Sequence, residues 1–590
     1  MKRLNSRTLI FIHIGVLIIS GLLIYGNSLN GKFIWDDNGL IKNNNYIKDW
    51  KYLPEIIKSD FGSGSDTKSN YYRPLQMVLH MAGYSLWGRN VQGYHLTSIF
   101  LHILAAIALY FFIRLIFYNT NIAFLASLLF LVHPINTETV CYISGISDSL
   151  SLFFIFLCLI LYLKSFDSHT VAFNVLSLLS LGMALFSKEN AVVVPVLILF
   201  YHYAFKKRLE INKIIPFFVL VISYVLLRLT VLSPFVHPDI SFPVLLKRIP
   251  GFFAALTEYL RLLLLPFGLR VEYGDRLFNP GDFRVIAGIL LAFVLISAAF
   301  LKRKNNPLFF FSVAWFFTAL LPVSNIVPVN FSFMMEHWLY LPSFGFCVVL
   351  ASVLCSTPKN KNIILFLRVL AAVLLIFYSS LTFRQNEYWR EPVAFYNRTL
   401  RYAPDSWRFY NELGLEYENY SKNDEAIASF QKALEIKPDL VGVYYNLANL
   451  YRKLGREKDA LFMYNKAQGI NQRLMQEYYE RGKAYSKAQK EKEAASAYLR
   501  ALELDPDNLM LNLELASSYI ITGQYRKAIT LLLRVIEISP DSALAYNNLA
   551  VAYYYDKQYD SAARYLNKAV ELGYPVPLKF LQFMKNKTSP

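Results

Sequence analysis

AIASFQKALEIKP, residues 426–438, is the stretch that decides the fold. Its pattern returns as AASAYLRALELDP at 494–506 and as AITLLLRVIEISP at 528–540. Pro404, Pro438, Pro506 and Pro540 fall on one 34-residue grid, and Gln472 and Tyr574 hold its other points. Within each period the same offsets carry the same kinds of residue. The first unit has Tyr410, Leu413, Gly414, Tyr417, Ala426, Phe430 and Ala433. The second has Tyr444, Leu447, Ala448, Tyr451, Ala460, Tyr464 and Ala467. Tyr478, Gly482, Tyr485, Ala494, Tyr498 and Ala501 continue the series, followed by Leu515, Ala516, Tyr519 and Ala528, then by Tyr546, Leu549, Ala550, Tyr553, Ala562 and Ala569.

Small residues at two offsets let paired helices approach, and large ones fill the space between them. A 34-residue period of this kind is that of the tetratricopeptide repeat, a stacking helix pair. Residues 405–574 therefore read as an α-solenoid of about five repeats, more than the three or so that stacking needs. Grid residues are core. Asn411, Asn446, Asn512 and Asn547, off the grid on the first helices, are the candidates for an acceptor groove that holds an extended peptide by its backbone amides.

Upstream the solvent changes. The chain is 55% hydrophobic with a mean hydropathy of +0.32, above the roughly 45–50% apolar usage of soluble domains. Most of the excess lies in residues 1–385, a string of apolar segments long enough to cross a bilayer. The net charge of +18 does not signal nucleic acid, because the bases sit in short segments between apolar runs, as at Lys206–Arg208 and Lys302–Lys304. That is the positive-inside pattern. Lys2, Arg3 and Arg7 before the first run place the N-terminus in the cytoplasm.

Candidate spans follow at roughly 8–24, 95–117, 121–133, 149–163, 171–186, 190–205, 214–232, 284–301, 308–327, 338–356 and 363–383. A further apolar stretch at about 250–268 is read as interfacial or re-entrant, because a crossing there would put Lys302–Lys304 on the wrong side. About eleven spans result: an all-α polytopic bundle, a linker at 386–404, the solenoid, and a tail at 575–590. The repeats then lie outside the cytoplasm, at a plasma or inner membrane in a bacterium or the endoplasmic reticulum in a eukaryote. Cys141, Cys158, Cys347 and Cys355 lack metal-ligand spacing and read as packing residues.

The same topology gathers ionisable motifs on the outer face. Trp35-Asp36-Asp37 follows the first span directly. Tyr71-Tyr72-Arg73-Pro74-Leu75, Gly93-Tyr94-His95-Leu96, His133-Pro134-Ile135-Asn136-Thr137-Glu138, Lys188-Glu189 and Glu336-His337 through Pro342-Ser343 come later. Ionisable groups at span ends are costly unless solvated or paired, which makes them functional candidates. Adjacent carboxylates repel, so one holds its proton more tightly and can act as a general base.

This ordered set, with the C-terminal repeats, resembles the transmembrane and TPR-containing O-mannosyltransferase family, whose membrane domain is GT-C-like. The resemblance implies transfer of a sugar, mannose in that family, from a polyprenyl-phosphate donor to Ser or Thr hydroxyls of proteins, with inversion. It matches Asp36 or Asp37 to the catalytic acid, Asp36 favoured because the first acid adjoins the aromatic residue. Arg73, His95, His133, Glu138, Lys188, Glu189, Arg228, Glu336 and His337 then line the donor and substrate site. One departure stands out: the family pattern has Arg after the glutamate, and this chain has His337. Arg228, Arg261 and Lys188 are the other cations near that face. No Gly-rich phosphate loop and no His/carboxylate metal cluster is legible, so no cofactor is expected beyond the lipid-linked donor, and divalent-metal dependence stays open. A membrane scaffold whose repeats recruit envelope proteins, or a polyprenyl-linked glycan ligase or polymerase, would share the composition but not the acid requirement or the acceptor.

Overall fold

The computed structural model describes residues 6–65, 69–167, 171–232, 242–274, 276–327, 332–576 and 581. Lys2, Arg3 and most of the 575–590 tail lie outside these. Among the described residues every regular element is helical. The chain divides into two compact units, Met1–Tyr417 and Glu418–Pro590.

In the first unit six helices are long and apolar enough to cross a membrane: Arg7–Asn30, Val91–Phe117, Ile143–Phe166, Ile211–Val231, Phe283–Lys302 and Lys361–Tyr388. Thr120–Val132 and Pro134–Cys141 form a further pair bent by 53°. The bend falls at His133-Pro134, where proline restricts the preceding residue to extended backbone. Val171–Ser187, Glu189–Ala204, Pro307–Val323 and Ser343–Leu354 are apolar but shorter. The unit is thus a multi-pass membrane bundle.

Burial ranks its helices. Val91–Phe117 and Ile143–Phe166 each bury 67% of their apolar window inside the protein, whereas Lys361–Tyr388 buries 6%. The first two form the bundle's core, and the last shows nearly all its apolar surface to the surroundings. The stretch at about 250–268, read as interfacial or re-entrant, falls largely in the helix Phe242–Leu264, which carries Lys247, Arg248, Glu258 and Arg261 and is not among the long apolar helices. Cys141, Cys158 and Cys347 are buried in the bundle, and Cys355 is half-buried at a helix end.

The 30–94 segment is a folded cap. Leu40, Ile41, Ile47, Ile56, Phe61, Met77, Met81 and Tyr94 make a small core there with Ile143. Gly64 closes a turn at φ +86°, where a Cβ would strike Asn44 and Tyr46. Two boundaries differ from expectation. Residues 386–404 are not a linker: Trp389 is buried, and Pro392–Tyr402 is a helix that sets Phe395, Tyr396 and Leu400 into the bundle's core. The next helix, Trp407–Asn419, adds Phe409 and Leu413 to that core, so the unit closes at Tyr417. The aromatic content of this stretch explains the shift, since each large ring gains by leaving water.

In the second unit the grid becomes helix ends. Helices stop at Ile436, Leu504 and Ile538, each two residues before a grid proline, as Tyr402 does before Pro404. Proline lacks the N–H and disfavours helix in the residue before it. At Gln472 nothing imposes that stop, and one helix of 31 residues runs unbroken from Glu457 to Lys487. The second and third repeats are therefore joined by a continuous helix instead of a turn. Ala426, Ala433, Ala448, Ala460, Ala494, Ala501, Ala516, Ala528, Ala550, Ala562 and Ala569 are buried as the grid requires.

Candidate functional site

The acid loop leaves the first span through Gly31, where a Cβ would sit 2.6 Å from His95 Nε2. Trp35 follows at φ +55°, a left-handed conformation uncommon for a bulky residue. It is held there from both sides. Its ring lies 5.8 Å from Tyr142 and 5.4 Å from Phe409, and its N–H donates to the Tyr396 hydroxyl at 3.1 Å.

The two acids then part. Asp37 is buried: Oδ1 accepts from the Ser144 N–H at 2.8 Å and hydroxyl at 2.5 Å, and Oδ2 accepts from the Ile34 N–H at 3.1 Å. Lost hydration pushes Asp37 up to about 7, against the pull of these hydrogen bonds. Asp36 is exposed, and its Oδ2 accepts from the Tyr142 hydroxyl at 2.7 Å. Surrounding protein still removes enough hydration to raise its pKa, with the Tyr142 bond opposing. One acid anchors the loop; the other is presented.

The charged motifs assemble in pairs. Arg73 forks onto Glu189, Nε to Oε2 at 3.0 Å and Nη2 to Oε1 at 2.7 Å, and lies over the Tyr71 ring at 4.5 Å. Lys188 meets Asp148 at 2.6 Å with both side chains buried. His337 Nδ1 is 2.8 Å from Glu138 Oε1, and its backbone N–H donates to Oε2 at 3.2 Å. Burial, then the charge of Lys188, lowers the pKa of His337 below that of a free imidazole. The direction of that shift favours the neutral imidazole, so the position where the resemblance expects arginine holds a weaker cation. Arg228 donates from Nη2 to the Asn70 carbonyl at 3.3 Å, and its buried Nε has no hydrogen-bond partner among the described residues. The charges of Arg73, Glu189, Arg228 and Asp36 all act on the Tyr71 phenol. These four groups form one electrostatic neighbourhood.

Other expected residues lie elsewhere or are spent on structure. His133 is buried with Nε2 donating to the Leu263 carbonyl at 2.9 Å and Nδ1 accepting from the Ile135 N–H at 3.2 Å. Both nitrogens hold the bend. His95 is buried beneath Gly31, and neither ring nitrogen has a hydrogen-bond partner among the described residues. Glu336 accepts from the Tyr273 hydroxyl at 2.7 Å and the Arg270 N–H, and burial raises its pKa well above the carboxylate range. Arg261 is held by Glu258 one turn away, at 2.5 Å and 2.8 Å.

Asn512, expected on a groove, is instead fully buried, with Nδ2 donating to the Pro506 and Asn508 carbonyls at 3.1 and 2.9 Å. It braces a turn. Asn411, Asn446 and Asn547 are half-buried.

Sequence reading missed Tyr142 and Ser144, the partners of the acid pair, and Glu412. Burial, with the charge of Asp36 adding to it, pushes Glu412 up to about 7. The first two could have been found as polar groups within an apolar run. Glu412 gives no local signal, because it reaches this neighbourhood only through folding. Among the described residues no group of three or more His, Cys, Asp or Glu is arranged to hold a metal ion.

A bundle with a presented carboxylate, paired cations at the same end and a repeat solenoid in the same chain defines a class: polytopic membrane proteins with a polar site at one face. Residues 74–235 match the dolichyl-phosphate-mannose-protein mannosyltransferase family. Tetratricopeptide repeat families match 421–455, 441–473, 476–508 and 508–573. A Caenorhabditis elegans protein O-mannosyl-transferase is 26% identical over 68% of this chain and 59% of its own length. Human protein O-mannosyl-transferase TMTC1 is 27% identical, over 69% and 53%, and mouse TMTC4 is 24% identical, over 69% and 64%. Among solved structures, the TPR protein YrrB is similar at 22% identity over 32% of this chain and 97% of its own, with a TM-score of 0.18. The chain is thus similar to the TMTC protein O-mannosyl-transferases and, as its repeat grid implies, matches tetratricopeptide repeats at its C-terminal end. It spans between half and two thirds of the length of these curated relatives.

Proposed function

We propose that this protein transfers a mannosyl residue from a polyprenyl-phosphate donor to Ser or Thr hydroxyls of proteins at the non-cytoplasmic face of its membrane. The observation that carries the reading is the division of labour in the acid pair: Asp37 tied into the backbone of the 142–144 turn, Asp36 open and held by Tyr142. In the proposed step the acceptor oxygen attacks the anomeric carbon as Asp36 takes its proton. The bond from that carbon to the phosphate oxygen breaks, and the lipid phosphate leaves with the electron pair, inverting the centre. A carboxylate whose pKa is raised is the stronger base.

Arg228 supports the leaving phosphate in this reading, because the other cations of the neighbourhood, Arg73 and Lys188, already face carboxylates. Those two pairs orient the site. The repeats concentrate acceptor proteins by tethering, with Asn411, Asn446 and Asn547 as groove candidates. The relatives' names and the family match support the transfer reaction; the positive-inside pattern supports the orientation.

The test is sugar transfer by purified Asp36→Asn and Asp37→Asn beside the wild type. Asp36→Asn is expected to lose about 10²–10⁴-fold in rate with donor binding retained. Asp37→Asn keeps an acceptor for the two Ser144 donors but loses the bond from the Ile34 N–H, and is expected to lose far less than Asp36→Asn because Asp37 takes no proton in the step. The active form is ionised Asp36, so the rate falls as pH drops through its raised pKa, placing the acid limb above the ~3.9 of a free aspartate. Near-normal turnover in Asp36→Asn removes the base from this position.

A further inference from the structure

Far from the acid loop a cavity lies at the opposite end of the bundle. The helices Thr120–Val132 and Lys361–Tyr388 begin at that end, Ser343–Leu354 finishes there, and between them lies a cavity of about 320 Å³. Phe124, Leu125, Leu354, Ile364 and Ala371 form apolar wall, and the polar wall includes Arg368 with Ser356 and Thr357. Arg368 is exposed and stands seven residues inside its helix, about 10 Å along the axis, in a segment otherwise apolar from Ile363 to Tyr378. Among the described residues it makes no ion pair. An arginine at that depth in a membrane span is costly without an anionic partner.

We infer that this cavity binds a membrane lipid by its anionic phosphate headgroup, with the phosphate on Arg368. Charge selects the headgroup. A guanidinium matches phosphate with paired donors, the hydroxyls of Ser356 and Thr357 add donors, and two helices start there with their positive dipole ends. Lys359 and Lys361 flank the site and are exposed. Continuity with the bilayer selects a lipid: Leu365, Phe366 and Val369, on the same helix, are exposed and apolar, so an acyl tail leaving the cavity stays against hydrocarbon. The volume is at the lower end of the roughly 300–1,000 Å³ of small-molecule sites, enough for a headgroup and not for a whole lipid.

The test is native mass spectrometry of the full chain, delipidated in mild detergent and titrated with phosphatidylglycerol or phosphatidylcholine of the same acyl chains. The wild type is expected to bind one phosphatidylglycerol at least about tenfold more tightly than phosphatidylcholine. Arg368→Gln should remove that preference, Ala371→Phe should weaken both lipids by filling the cavity, and Lys304→Gln should change nothing. Thermal unfolding in detergent checks that each variant is folded, and Ala371→Phe keeps the test decisive should Arg368→Gln not be. Equal retention of the two lipids by the wild type, or binding undiminished in both cavity variants, overturns the inference. So does displacement of phosphatidylglycerol by millimolar inorganic phosphate, which would mark a site for the free anion.

Discussion

The two units use the same ion-pair chemistry to opposite ends. Arg473 and Asp439, one repeat apart, meet at 2.5 Å with 60% and 50% of their side chains exposed. Lys188 and Asp148 meet at 2.6 Å with 4% and 2% exposed. In water the first pair gains little, because solvent screens it and ordering two long side chains costs entropy. The second has given up nearly all hydration, so each charge depends on the other. Distance does not distinguish these pairs; surroundings do. The repeat unit owes its stability to small residues that let helices touch, and the membrane unit spends buried charge to keep polar groups at one face.

That contrast breaks first at Lys188. Lys188→Met leaves Asp148 buried without its partner and is expected to cost about 3–5 kcal/mol, read as denaturant stability in detergent. A loss below about 1 kcal/mol would put the pair in the same class as the exposed ones. In the repeat unit the largest effect is expected at the missing grid proline. Gln472→Pro removes a hydrogen bond inside the 457–487 helix and should cost about 3 kcal/mol, with helical circular dichroism falling in the isolated repeats. Unchanged stability would mean that the helix is already interrupted there.

Gly482 is the next test. A Cβ at this position would lie 2.5 Å from Tyr498 Cε1, so Gly482→Ala is expected to destabilise by about 1–3 kcal/mol, as overpacking does. Adding Tyr498→Leu should recover much of it. Recovery that fails would place the cost in the helix backbone and not in the contact. The smallest effect belongs to Arg473→Ala, at most about 1 kcal/mol, with thermal unfolding as the readout. A larger loss would show that the solenoid also leans on its charges.

Much of the fold was legible because its signals are local. The grid prolines stop helices two residues ahead wherever they occur, and the alanines of each period are buried. The missing proline at Gln472 was visible in the sequence, and the structure shows its consequence, a helix that runs unbroken from Glu457 to Lys487. The acid pair and the ordered polar motifs were legible for the same reason: ionisable residues stand out against apolar spans.

The rest required the chain to meet itself. Nothing near Asp36 or Asp37 in sequence says which is anchored; Tyr142 and Ser144, more than a hundred residues away, decide it. His133 reads in sequence as lining the donor and substrate site, and in the fold its Nε2–H goes to the Leu263 carbonyl; Asn512 reads as groove, and in the fold it is buried against two carbonyls. The 386–404 stretch, read as a linker between the last apolar span and the first repeat, sends its aromatics into the core beside Trp35. Period and composition are properties of neighbours along the chain, and sequence alone determined what depends on them: the helical class, the repeat, and the membrane segments. Burial and pairing are properties of neighbours in space, and only tertiary structure decided which carboxylate was left open.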